Sequence, residues 1–71
     1  MSLSLYTQIK EFTKNYKKDL WKELLKEKKV QEYIDNQVDM IENELKGYLD
    51  MGYYEHEAME IIRAEYLNPS N

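Results

Sequence analysis

Cysteine is absent from all 71 residues. That excludes a disulfide framework, a thiol nucleophile and a thiolate metal site together. A single histidine, His56, likewise excludes a histidine-rich metal site within one chain. Two Gly and one Pro argue against an all-β fold and against a disordered low-complexity segment. No apolar run approaches the roughly 20 residues that span a bilayer. The opening Met1-Ser2-Leu3-Ser4-Leu5-Tyr6 lacks a basic n-region and reaches polar Thr7 and Gln8 too soon for a signal-peptide core. Together these absences lead us to expect a cytoplasmic chain with no membrane partner; the lack of Cys fits a reducing compartment.

Aromatic and charged residues are plentiful. Seven Tyr, one Trp and one Phe argue against disorder, since each buries much apolar area. The length allows one helical domain over residues 1–71, and a core this small rarely gives more than about 3–5 kcal/mol of net stability. With disulfides and metals removed, a second subunit or another protein is the expected support.

The net charge of −4 hides an asymmetry. Residues 1–30 carry eight Lys against four carboxylates, a net +4, and residues 31–71 carry two basic side chains against ten carboxylates, a net −8. Either the basic half meets an anionic partner, or the two halves attract each other within or between chains.

The strongest periodic signal lies between Val30 and Met51. Val30, Ile34, Val38, Ile41, Leu45 and Leu49 recur at steps of four and three, one apolar face held for about six turns. Asp35, Asp39, Glu42 and Lys46 fall on the opposite side. At 1.5 Å per residue this rod would be roughly 30 Å long. Upstream, Ser4 can cap a helix carrying Leu5, Ile9, Phe12 and Tyr16 on one face. That helix either continues through Leu20 and Leu24 to about Lys28, or breaks near Asn15–Lys18 with Asp19 capping a shorter Leu20–Lys28 helix. We expect the break. No Gly or Pro marks the link at Glu27-Lys28-Lys29, which reads as a polar corner or a frayed kink. Gly47 lies inside the long helix and leaves room for a close approach, whereas Gly52 suits its end. A last helix opens near Tyr54 or Glu55 and ends at Asn68-Pro69, with Ser70 and Asn71 frayed. Its inner face is either Ala58, Ile61, Ile62 and Glu65, or Met59, Ile62 and Tyr66.

Candidate chemistry is sparse. His56 precedes Glu60 by one helical turn, which could orient an imidazole or offer two metal ligands; an exposed polar pair explains the spacing as well. Asp35, Asp39 and Glu42 share a straight helical face, but hard cations want oxygens converging from a bent loop. We therefore expect no catalytic, cofactor-binding or metal residues, and no enzyme. Lys10, Lys14, Lys18, Lys22 and Lys26 repeat every four residues, so Lys14, Lys18, Lys22 and Lys26 could contact a nucleic-acid backbone. Glu11, Asp19 and Glu23 partly neutralise that stripe, and this half has no Arg to grip phosphate in a fork.

Met51-Gly52-Tyr53 with Glu57-Ala58 is similar to the loop and second-helix start of a ubiquitin-associated domain. The preceding helix is too long for that pattern, however, and only Asn68 to Asn71 follow where a third helix should stand. Over residues 33–67, Tyr33-Ile34, a long polar-faced helix, Gly52-Tyr53 and Glu57-Ala58-Met59-Glu60 resemble short all-helical bacterial proteins of unknown function, some carried on mobile elements. The resemblance implies a bacterial or phage origin and no assigned chemistry.

The expectation is an all-α protein, a small three- or four-helix bundle with a long central helix over about 30–51, completed by dimerisation. Its expected role is a non-enzymatic protein–protein interaction module, with Phe12, Tyr16, Trp21, Ile34, Val38, Ile41, Leu45 and Leu49 as candidate interface and an unidentified protein as a further partner. The alternatives are a small nucleic-acid-associated regulator and an acidic inhibitor that imitates phosphate charge.

Overall fold

Residues 4–68 are described in the computed structural model. They form α1 (Leu5–Tyr16), α2 (Lys18–Glu27), α3 (Val30–Asp50) and α4 (Glu55–Tyr66). Among the described residues there is no strand, so the all-α class and the long helix near 30–51 are what the chain adopts. Pro69, Ser70 and Asn71, expected to end and fray the last helix, lie outside the described residues. The chain divides into two compact units, Met1–Val38 and Asp39–Asn71, with the boundary inside α3.

In the first unit Ser4 caps α1, its Oγ accepting the Thr7 N–H at 3.2 Å. The helix stops at Tyr16 because Lys17 takes φ −127 and ψ 58, outside helical geometry. Lys17 closes both neighbours: its N–H donates to the Thr13 carbonyl at 2.9 Å, and its own carbonyl accepts from Trp21 at 2.9 Å. One turn earlier the buried Thr13 hydroxyl donates to the Ile9 carbonyl at 2.8 Å, a back-bond that bends helices. The expected break is therefore real, but Asp19 does not cap α2. It sits inside the first turn, where its charge suits the helix dipole.

Helix α2 ends sharply rather than fraying. Lys28 adopts the left-handed conformation at φ 59. Its N–H reaches the Leu25 carbonyl at 3.2 Å and the Lys29 N–H reaches Leu24 at 2.9 Å. This pair of bonds is a Schellman end built without glycine. Among the described residues of this unit, Ile9, Leu24 and Ile34 are the buried apolar ones.

The second unit carries the same device with glycine in place. Gly52 has φ 96; its N–H donates to Leu49 at 3.0 Å and the Tyr53 N–H to Tyr48 at 3.0 Å. The Tyr48 and Tyr53 rings meet edge-on at 5.2 Å, the side-chain contact that accompanies such an end. Helix α4 opens with the Glu57 carboxylate reaching back to the Tyr54 N–H at 3.4 Å. Its inner face combines parts of both expectations. Ala58 and Ile62 are buried, Met59, Ile61 and Tyr66 half-buried, and Glu65 exposed.

The two helix ends give opposite predictions. A left-handed L-residue costs roughly 1–2 kcal/mol that glycine avoids. Lys28→Gly is expected to raise stability by about 0.5–1 kcal/mol, allowing for glycine's larger unfolded entropy. Gly52→Ala should lower it by about 1 kcal/mol, through backbone strain alone, since nothing lies within 4 Å of an added Cβ. Urea denaturation followed by circular dichroism measures both; midpoints moving in the same direction would contradict this account.

Candidate functional site

A long-range side-chain hydrogen bond in the second unit joins α3 to α4. Tyr66 donates its hydroxyl to Glu44 Oε1 at 2.8 Å, in a partly buried position. The other carboxylate oxygen, Oε2, is buried and accepts no hydrogen bond. Holding its proton against Glu44, and lying partly out of water, Tyr66 has its pKa pushed up to about 12. The neighbouring Glu44 charge, with some burial, raises the Glu65 carboxyl above its ordinary value. Burial and then the Glu65 and Glu44 charges raise Tyr48 as well. Glu44 is thus the centre of a cluster of Tyr48, Glu65 and Tyr66. Among the described residues no group of three or more His, Cys, Asp or Glu is arranged to hold a metal ion.

Beside this cluster α3 presents a shallow depression of about 200 Å³ lined by Glu44, Gly47, Tyr48 and Met51. Gly47 is bare, with nothing within 4 Å of where a Cβ would stand. Met51 continues the helical line through its N–H bond to the Gly47 carbonyl at 3.2 Å. Met40 lies two turns before Gly47 on the same side of the helix, at the spacing of seven residues. Met40 is 49% exposed and Met51 66%.

No family model, curated protein or solved structure matches the chain. What the surface can do therefore follows from its own residues.

The candidate interface residues separate. Ile34 and Ile41 are fully buried within the single chain, so they belong to its interior and offer nothing to a second subunit. Phe12, Trp21, Val38 and Leu45 are half-buried, while Tyr16 and Leu49 are exposed. Phe12 and Tyr16 touch at 5.2 Å, and the Lys17 ammonium lies 5.8 Å from the centre of the Phe12 ring. The lysines separate too. Lys14, Lys18, Lys22 and Lys26 are all exposed, but the break at Lys17 divides Lys14 on α1 from the other three on α2. The continuous stripe expected of one helix is not formed.

His56 stacks on Tyr54, rings 5.9 Å apart and 6° from parallel. With Glu55, Met59, Glu60 and Arg63 it lines an open depression along one helix, a solvated surface rather than an enclosed site. In the first unit, burial raises the Tyr33 phenol, and the nearby Thr13 side chain offsets part of that rise. Neither Thr13 nor the Tyr66–Glu44 pair is visible in the periodicity; a buried threonine one turn before a helix break is the sole local signal.

Proposed function

We propose that the chain is a non-enzymatic protein–protein interaction module that self-associates. The observation that carries this reading is the apolar surface left open by so short a chain. Tyr16, Leu25, Met40, Leu49, Met51, Tyr53 and Tyr54 are each at least 41% exposed. Single exposed apolar residues are ordinary. Several aromatic and methionine side chains on a chain of 71 residues fit interfaces better than a solvated surface. Leu49, one turn beyond half-buried Leu45 on α3, is the surviving exposed end of the long helix's apolar stripe and supports self-association there.

Sedimentation velocity at micromolar concentration tests the reading. The expected result is a dimer that Leu49→Glu converts to a folded monomer, because a charge at an apolar contact cannot be satisfied. A wild-type monomer across the concentration range would remove self-association. The divided lysine stripe gives no comparable support to nucleic-acid binding. Gel shifts across a salt series should accordingly show no salt-dependent complex.

A further inference from the structure

We infer that the Met40–Gly47–Met51 face of α3 is a seat for a basic amphipathic helix of another protein. The proposal rests on the reading of the chain as an interaction module and names the chemistry of the partner.

Three observations converge on it. Met40, Gly47 and Met51 span three turns of one side of α3, about 16 Å at 1.5 Å per residue. Between two flexible, polarisable methionines the bare Gly47 makes a saddle, into which a ridge of side chains from a second helix can settle. The Glu44 carboxylate lines the same depression. Asp50 lies on α3 three residues past Gly47, and residues 39–71 carry two basic side chains against eight carboxylates, a net −6. An apolar saddle in an acidic field selects a helix with an apolar stripe edged by Lys or Arg.

The charge also argues against the same face of a second copy. A two-fold contact puts each patch against itself, so Glu44 and its acidic neighbours would face their own copies. Self-association is better served by Leu49, four residues from Leu45 and away from the saddle.

The test uses the whole protein with methyl-labelled methionine and a synthetic helical peptide of about 18 residues with a leucine stripe edged by lysine. Expected are saturable shifts of the Met40 and Met51 methyl signals with Met59, on α4, unmoved. A peptide with the same stripe edged by glutamate should bind at least about tenfold more weakly. Gly47→Gln leaves charge unchanged and favours helix over glycine, so its helical ellipticity should hold while affinity falls about tenfold. Equal affinity for Gly47→Gln would overturn the proposal, showing charge alone at work. So would silent Met40 and Met51 signals, or movement of those signals on diluting the protein without peptide, which would make a second copy the occupant. Sedimentation of the peptide-free protein reads self-association separately, so failure of either idea is distinguishable from failure of the other.

Discussion

Ile41→Ala is expected to leave the chain largely unfolded at room temperature. Ile41 is completely buried, one of six buried apolar side chains among the described residues, and with Ala58 and Ile62 makes up the buried apolar set described in the second unit. Truncating a buried isoleucine to alanine costs about 2–5 kcal/mol, from lost transfer energy and the cavity left behind. A chain of this size has roughly 3–5 kcal/mol to lose. Helical ellipticity and a urea titration measure the effect. Leu49→Ala on the same helix is the comparison: with its side chain 43% exposed, it should change stability by well under half as much. Comparable losses at the two positions would mean that the assigned interior is wrong.

Tyr66→Phe should cost about 1–2 kcal/mol despite removing one oxygen. Hydrogen bonds to a charged group contribute about 1.5–3 kcal/mol, and partial exposure reduces that here. The loss is made worse by Glu44 Oε2, which already lacks a hydrogen-bond partner, so phenylalanine removes the Tyr66 donor from a carboxylate that is already under-satisfied. The same bond has an alkaline signature. The folded pKa of about 12 lies above the ordinary 10.0, so its stabilisation is complete below pH 10.0 and is lost as pH rises towards 12. An ultraviolet titration should show the Tyr66 phenol ionising well above pH 10.0, and Glu44→Gln should lower its pKa. Glu65 works in the opposite sense. Its raised carboxyl pKa reports repulsion that is present at neutral pH and relieved as the medium turns acidic, so Glu65→Gln should be neutral or stabilising at pH 7. A Tyr66 that titrates near pH 10.0 would show that the Glu44 bond is not held in solution.

The helices were legible because helix formation is decided over three or four residues. The Val30–Leu49 spacing, the Ser4 hydroxyl and the Gly52 backbone each act within their own turn, and all three appear where local chemistry places them. The fate of the apolar stripe was not. Ile34, Ile41 and Leu49 have the same spacing and similar hydrophobicity, yet two are completely buried and one is 43% exposed. Periodicity says which residues share a face; what covers that face depends on segments far away in sequence.

By itself the sequence determined an all-α chain, its helix ends and the segregation of charge, since composition, capping and period are local or additive properties. The left-handed turn at Lys28 was not legible because no glycine marks it, although the bonds that close it, from the Lys28 and Lys29 N–H groups to the Leu25 and Leu24 carbonyls, are local. Only the tertiary structure paired Tyr66 with Glu44, 22 residues apart, and separated the buried part of the long helix from the open Gly47 saddle. Those outcomes depend on the loop-closure entropy and on which side chains satisfy each other's polar groups once water is excluded, and neither can be read along one strand of residues.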